Sequence, residues 1–342
     1  MISRSAFIAC ATFSALFTGP SLHSIGMRHD VGEEPYLAAG ANEGAFAPSQ
    51  NFPDLSPVCS IGAIRGKGNG AFEHYGTGTL IGDRFVLTAA HVVISERNPN
   101  RFESNLEVRF GSNSDRPTET LSVSKIHTRL RLGSRALEAL SDDSDAPERL
   151  IIRAEFNDIA LLELVDQPKV IQPAAVADRL PPLGSRVVIA GYGDAGFGDD
   201  HREARWQPAG ERRACENTLD RDVVTNPETG RENDGGLIMF DFDSPARDRN
   251  TLEGEAARGW EDLIGSGTSV AAPLPLEGVG YPGDSGGPAF AYIDEAWRII
   301  GVCGYGTGYP AHRKRERIQY GDISIYTRVP SHSDWINEVQ AP

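Results

Sequence analysis

The chain has 342 residues, of which 39% are hydrophobic, and its formal net charge at pH 7 is −15. This length is enough for a large core and for two barrel-sized units. A strongly acidic surface repels phosphate backbones and anionic membranes, so the charge argues against nucleic acid and membranes as partners.

The first residues predict a secretory signal peptide over 1–26. Arg4 is followed by an apolar run over 6–17, and small or helix-breaking residues continue to Gly26. The apolar run is shorter than the roughly 20 residues that a membrane-spanning helix needs, and no later stretch approaches that length. We therefore expect a secreted protein, periplasmic or extracellular, with residues 27–56 as an N-terminal extension or pro-segment.

Short apolar runs separated by Gly, Pro, Asn and Asp recur along the rest of the chain, a spacing typical of all-β proteins. The runs lie at 85–90, 106–110, 121–126, 159–164, 186–190, 237–242, 297–302 and 323–329. A proline-marked stretch at 167–182 is interpreted as the linker between a first β-barrel at 57–166 and a second at 183–342. Residues 331–339 begin with a serine suited to cap a helix, so we expect a short C-terminal helix.

Three residues combine into a candidate nucleophilic site. His91 follows the apolar run FVLTAA, Asp158 precedes the apolar run IALLEL, and Ser285 lies in the hexapeptide GDSGGP. A serine hydroxyl is a weak nucleophile at neutral pH, so it needs a histidine to take its proton and a carboxylate to orient that histidine. The chain supplies all three in the order His, Asp, Ser, which separates this pattern from other serine hydrolases.

With TAAH, NDIALL and GDSGGP in this order, the chain resembles the chymotrypsin-like (trypsin-like) serine protease family over roughly residues 57–339, and secreted bacterial members most of all. The resemblance implies an all-β fold of two six-stranded antiparallel β-barrels, with the active site between them and a short C-terminal helix. It implies a serine endopeptidase that cleaves protein or peptide substrates through an acyl-enzyme. A protein inhibitor could bind the same site.

The resemblance also assigns an oxyanion hole and a primary substrate pocket. The backbone N–H groups of Gly283 and Ser285 would receive the negative charge of the tetrahedral intermediate. Five residues would form the pocket: Val279, Gly304, Tyr305, Gly306 and Ser324. Because Val279, at the pocket floor, carries no charge, we expect little cleavage after Arg or Lys and a preference for apolar or small residues.

Beyond the signal peptide the cysteines are Cys59, Cys215 and Cys303. The resemblance places Cys59 before the first barrel and Cys215 on an early strand of the second, where many members carry a linking disulfide. We therefore expect a Cys59–Cys215 disulfide and an unpaired Cys303. Gly76 and Val92 stand where the family usually has another bridged pair, so that covalent link is missing.

Two charge-rich segments, 129–153 and about 199–269, exceed the family's usual spacing and are expected to form surface loops near the cleft. The second carries a cluster of side chains whose oxygen atoms could bind calcium, but without EF-hand-like spacing a solvated loop is the better interpretation. This cluster consists of Asp220, Asp222, Glu232, Asn233 and Asp234. No HExxH or CxxC motif is present, so we expect neither a catalytic metal nor another cofactor.

The family usually matures by exposing a new amino terminus that pairs with the acid before the nucleophile, here Asp284. No Ile-Val-Gly-Gly segment is present in this chain. Either the pairing terminus arises between residues 26 and 57, or another donor satisfies Asp284.

Two other functions fit part of the pattern. The GxSxG motif of α/β-hydrolase esterases is also satisfied, with Asp322 and His332 following in the right order. That fold needs a helix after the serine, whereas the sequence after Pro288 is β-like. The other alternative is a catalytically silent binding module on the protease scaffold, although such proteins usually lose a triad member and this chain keeps all three.

Overall fold

The computed structural model describes residues 25–44, 52–65, 71–95, 98–129, 157–193, 195–198, 210–225, 232–253, 269–281, 283–307 and 318–341. Apart from its last two residues, the predicted signal peptide lies outside the described residues. So do most of the first charge-rich segment and large parts of the second.

The described residues are mostly β-structure. The strands are β1 (Gly26–Met27), β2 (Val58–Arg65), β3 (Ala71–Leu80), β4 (Phe85–Thr88), β5 (Ile94–Ser95), β6 (Asn98–Phe102), β7 (Leu106–Phe110), β8 (Glu119–Thr128), β9 (Ala160–Leu164), β10 (Ala175–Val176), β11 (Arg186–Gly191), β12 (Gly196–Phe197), β13 (Arg213–Thr218), β14 (Arg221–Thr225), β15 (Glu232–Asp241), β16 (Gly278–Val279), β17 (Pro288–Ile293), β18 (Ala296–Thr307) and β19 (Ile323–Arg328). The helices are α1 (Glu34–Gly40) and α2 (Ser333–Gln340), with 3₁₀ turns at His91–Val93 and Val329–His332.

Six strands of the first half close into a barrel in the order β2, β3, β4, β9, β8, β7. The burial pattern of β7 illustrates why such segments form barrel strands. Its residues alternate between buried and half-buried, as expected for a strand with one face on a core. Buried aliphatic side chains such as Ile61, Val86 and Leu162 fill the interior. The predicted first barrel is confirmed.

The second half forms an eight-stranded sheet, and its described residues do not close into a second barrel. The order is β13, β11, β17, β18, β19, β15, β14, with β10 added alongside β18. Between β13 and β15 a side chain takes the place of a strand ladder, because Asn217 Nδ2 donates to Asp241 O and to Gly278 O, both at 2.8 Å. The prediction of two six-stranded barrels therefore holds for the first unit only.

Residues 25–44 pack as part of the second unit. Strand β1 lies between β12 and β16, and Ile25 and Met27 are each 1% exposed. Helix α1 carries Pro35 in its first turn, a position that suits proline. Tyr36 at its centre is fully buried and donates its hydroxyl to Glu277 O at 2.9 Å. The buried Arg212 guanidinium donates to Gly40 O at 2.7 Å and fixes the end of α1.

The predicted C-terminal helix is present as α2. Its Ile336 is buried in the same hydrophobic cluster as the first barrel, and Gln340 Nε2 donates to Ile81 O at 3.3 Å. The last element thereby packs against the first unit. Among the described residues, no helix has the length and apolar character needed to cross a membrane.

The predicted Cys59–Cys215 disulfide is wrong: both residues are buried cysteines outside any disulfide, and so is Cys303. Cys59 belongs to the core of the first barrel, whereas Cys215 packs in the second unit against Gly278. The two thiols thus point into different cores. Burial raises the pKa of both, which keeps them protonated and unreactive.

Candidate active site

The barrel ladder brings His91 and Asp158 together. Strands β4 and β9 are antiparallel, with Thr88 opposite Ala160, so the end of one strand lies beside the start of the other. His91 follows Thr88 by three residues, in a 3₁₀ turn, and Asp158 precedes Ala160 by two. This is why an acid and a histidine that are far apart in the chain become neighbours.

Asp158 holds His91 at two points. Its Oδ1 accepts the backbone N–H of His91 at 2.9 Å, and its Oδ2 lies 2.6 Å from His91 Nδ1. A carboxylate accepts, so Nδ1 carries the proton and Nε2 is the basic nitrogen. The Asp158 side chain is 4% exposed and that of His91 is 37% exposed. The acid is therefore sheltered, while the imidazole reaches the surface of the site.

Electrostatics favour the protonated form of His91. Burial alone lowers the pKa of this imidazole, but the negative charge of Asp158 and the hydrogen bond to it raise the pKa by more, so that it ends above its ordinary value of 6.5. Thr327 on β19 donates its hydroxyl to Asp158 O at 3.0 Å, which ties the acid to the second unit. The pair can take up and hold a proton.

Ser285 lies in a tight turn between β16 and β17. Asp284 N donates to Tyr281 O at 2.9 Å, and Gly287 N donates to Asp284 O at 2.7 Å. Gly283 and Gly286 have φ of 95° and 81°, a backbone region that favours glycine. A Cβ on Gly286 would also lie 2.1 Å from Thr88 Oγ1, so no side chain fits there. The glycines of GDSGGP are required by the shape of this turn.

The turn packs directly on β3. Thr77 N donates to Ser285 O at 2.8 Å. A Cβ on Gly76 would lie 2.7 Å from Ser285 O and 2.8 Å from a methyl of Val92, the residue after His91. Gly76 thus sits where the serine segment and the histidine turn approach each other. Gly76 and Val92, the positions of the missing cysteine pair, are in fact adjacent.

Two residues that sequence reasoning missed hold the carbonyl of Gly283, the residue whose N–H was assigned to the oxyanion hole. His74 Nε2 lies 3.1 Å from Gly283 O, and Thr77 Oγ1 donates to the same oxygen at 3.2 Å. A carbonyl only accepts, so Nε2 of His74 carries the proton and Nδ1 accepts from Ser60 Oγ at 2.8 Å. Burial lowers the pKa of His74 to about 4, so it is neutral at pH 7. No local motif distinguished His74 from the other non-catalytic histidines.

The residues expected to form the pocket lie in neighbouring strands. Gly306 pairs with Ser324 across β18 and β19, and Tyr305 beside them is 38% exposed. Ser324 is buried and accepts from Gly280 N at 3.1 Å. Val279 is fully buried in a cluster of four other apolar or aromatic side chains. These are Phe242, Tyr281, Ile318 and Tyr320.

Asp284 accepts two backbone hydrogen bonds, from Tyr281 N at 3.0 Å and from Gly193 N at 3.2 Å. A Cβ on Gly191 would lie 2.0 Å from Asp284 Oδ1, so the carboxylate packs tightly against this strand. Backbone N–H groups therefore supply part of the hydrogen bonding of the Asp284 carboxylate.

The predicted acidic cluster does not assemble from its described members. Asp222 accepts from Arg328 Nε at 2.8 Å on the surface, whereas Asp220 is buried next to Asp241. The side chains of Glu232, Asn233 and Asp234 lie outside the described part of the structure. Within the described ranges, no three His, Cys, Asp or Glu side chains form a group that could hold a metal ion.

Comparison with known proteins identifies the family of the chain. Residues 59–232 match the family model described as Trypsin, a segment that includes His91 and Asp158 and ends before Ser285. A protein named Trypsin from Phaedon cochleariae is 26% identical over 276 residues, covering 78% of this chain and 79% of that protein. Phenoloxidase-activating factor 3 from Holotrichia diomphalia is 26% identical over 276 residues, covering 76% of this chain and 62% of that protein. Both relatives are insect proteins, so the expected bacterial character finds no support.

Proposed function

The chain belongs to the trypsin family, and from this membership we propose that it is a serine endopeptidase with Ser285 as nucleophile, His91 as general base and Asp158 as the orienting acid. Membership implies protein or peptide substrates. The observation that carries the proposal is the two-point contact between Asp158 and His91. It fixes the tautomer in which Nε2 can take a proton from a serine.

In the proposed reaction, His91 Nε2 takes the proton of Ser285 Oγ as that oxygen attacks the carbonyl carbon of the scissile bond. The carbonyl oxygen becomes an anion, to which the N–H groups of Gly283 and Ser285 donate. The imidazolium then gives its proton to the leaving nitrogen, the C–N bond breaks, and an acyl-enzyme remains. Water attacks this ester with His91 again as the base, and the acid product leaves.

The proposed specificity is for apolar or small side chains before the scissile bond. No carboxylate stands at position 279, and the buried Ser324 hydroxyl occupies space opposite Gly306. An Arg or Lys side chain entering such a pocket would lose its hydration without gaining a charge partner, which makes its binding costly. Profiling with a peptide library tests this, and a profile dominated by Arg and Lys contradicts it.

We also propose that the enzyme is secreted, that its signal peptide ends before Ile25 instead of at residue 26, and that residues 25–44 remain part of the mature protein. This segment contributes the buried Ile25, Met27 and Tyr36 to the core of the second unit. Removing it would expose these side chains and leave the guanidinium of Arg212 buried without the Gly40 carbonyl. A pro-segment that is cut away should instead be separable from the folded domain.

Turnover assays separate the proposal from its alternatives. The proposed enzyme hydrolyses both peptides and esters, and Ser285→Ala abolishes both activities while Ser104→Ala, at an exposed serine of the first unit, keeps them. Ester hydrolysis without peptide hydrolysis would favour an esterase, and neither activity in mature protein would favour a silent binding module. The esterase alternative also lacks its required helix, because strand β17 follows Ser285.

A further inference from the structure

The threonine at position 77 contacts the turn that holds Ser285 through both its backbone and its side chain. It is fully buried in β3, and two of its atoms, the backbone N and the hydroxyl oxygen, make three hydrogen bonds around Ser285. Its backbone N–H donates to Ser285 O at 2.8 Å, and its hydroxyl donates to Gly283 O at 3.2 Å. The same hydroxyl oxygen accepts from Tyr192 N at 3.2 Å.

The direction of these bonds is fixed by chemistry. Tyr192 N can only donate, so the Thr77 oxygen is its acceptor, and the single hydroxyl proton is left for the carbonyl of Gly283. Thr77 thereby connects β3 of the first unit to two segments of the second. One segment is the turn that holds Ser285, and the other continues from Tyr192 to Gly193, whose N–H bonds to Asp284 at 3.2 Å.

The carbonyl that Thr77 holds belongs to Gly283, a residue type with high backbone freedom, whose N–H is assigned to the oxyanion hole. Gly283 has no side chain to restrict it, and its φ of 95° must persist for its N–H to keep one direction. The bond of the Gly283 carbonyl to Thr77 and the bond of Asp284 N to Tyr281 O hold the two ends of one peptide group, the one that follows Gly283. Because Asp284 N bonds back to Tyr281 O, Gly283 lies inside a closed turn, and its own φ and ψ are the rotations left that can turn its N–H away from substrate.

Resting on the proposed function, we propose that Thr77 is a positioning residue of the oxyanion hole. Its hydroxyl keeps the Gly283 carbonyl in place, and it supports the site beside Gly76 and Val92, where the family's usual covalent link is missing. Thr77 touches neither substrate nor the reacting atoms. Its effect on catalysis passes through the direction of the Gly283 N–H.

The same strand offers an internal comparison. Thr79 lies two residues further along β3, is 1% exposed, and its hydroxyl has no hydrogen-bond partner among the residues that the structure describes. A buried threonine in this strand therefore does not need its hydroxyl for folding. Thr77 differs from Thr79 because it forms hydrogen bonds with the turn that holds Ser285. Thr79→Val is therefore the matched control for Thr77→Val.

The test measures acylation by a p-nitrophenyl ester in the pre-steady state, together with inhibition by a peptide aldehyde. The aldehyde's hemiacetal oxygen would use the same hole. We expect Thr77→Val to slow acylation about 10-fold and to weaken aldehyde binding similarly, with KM changed less than about 2-fold. Thr77→Ser should restore wild-type rates, and Thr79→Val should not differ from the wild type. A merely structural role would lower the unfolding temperature without separating kcat from KM.

Wild-type acylation rates in Thr77→Val would overturn the inference. Should Thr77→Val not fold, Thr77→Ala decides, with rates normalised to the folded fraction from circular dichroism. A Thr77→Ala enzyme that acylates as fast as the wild type overturns the inference equally. If the wild type itself is not acylated, the proposed function fails and the inference fails with it. If the wild type is acylated and the variants match it, only the inference fails.

Discussion

Replacing Asp243 with Asn should stabilise this protein at neutral pH. Asp243 is 3% exposed, and within the described part of the chain its Oδ1 atom has no hydrogen-bond partner. Burial, followed by repulsion from Asp241 and Glu253, raises the pKa of Asp243 from 3.8 to about 8. The folded protein therefore keeps this proton up to about pH 8, whereas the unfolded chain releases it near pH 4.

The sign and size of the effect follow from linkage. Because the folded state binds more protons in this window, the free energy of unfolding falls as the pH rises from about 4 to about 8. At about 1.4 kcal/mol per pH unit, the loss from this single group reaches at most about 6 kcal/mol. Asn resembles the protonated acid in shape and carries no charge. Asp243→Asn should thus match the wild type near pH 4 and exceed it by several kcal/mol at pH 8.

Urea unfolding at each pH from 4 to 8 measures this difference directly. The difference between variant and wild type isolates Asp243 from other titrating groups, and Asp248→Asn, at an exposed acid of the same segment, is the control. A difference that stays at zero across the whole range would refute the reasoning. So would a variant that is less stable than the wild type at pH 8.

Four further outcomes are expected. Gly76→Ala should slow acylation at least 10-fold and also lower the melting temperature, because its Cβ would lie 2.7 Å from the backbone oxygen of Ser285 and must displace it. Val279→Asp should lower the free energy of unfolding by several kcal/mol, and cleavage after Arg should not rise, because the carboxylate would be buried among apolar side chains. In a plot of kcat/KM against pH, the midpoint of the acid limb should lie above pH 6.5, because Asp158 raises the pKa of His91 and only the neutral imidazole is a base. N-terminal sequencing of active enzyme should find a first residue no later than Ile25, and a terminus beyond Arg28 would contradict the integral role of 25–44.

The pairing of His91 with Asp158 could be predicted because each residue flanks an apolar strand, and antiparallel pairing of those strands joins their ends. The turn at Ser285 could also be predicted, because its glycines are required by the local backbone conformation. Both signals are contained in short stretches of sequence. The described first barrel and helix α2 likewise follow from hydrophobic periodicity, but the expected serine cap is wrong, because helix α2 begins at Ser333 after His332 and no side chain caps it.

The remaining features depend on long-range contacts that no local pattern reveals. The bonds of His74 and Thr77 to Gly283 exist only because β3 packs against the catalytic turn. The Cys59–Cys215 prediction, which the family resemblance implied, failed because the two side chains point into different cores. The open edge of the second sheet depends on one asparagine, Asn217, which bridges two strands with its side chain.

Mass spectrometry of mature protein treated with a fluorophosphonate probe tests the central claim most directly. The proposed mechanism predicts a single covalent adduct on Ser285, formed at a rate that falls sharply in His91→Ala. Loss of this adduct after Ser285→Ala, with no adduct elsewhere, completes the expected result. An unmodified Ser285 in protein whose amino terminus has matured, or equal labelling with and without His91, would contradict the account.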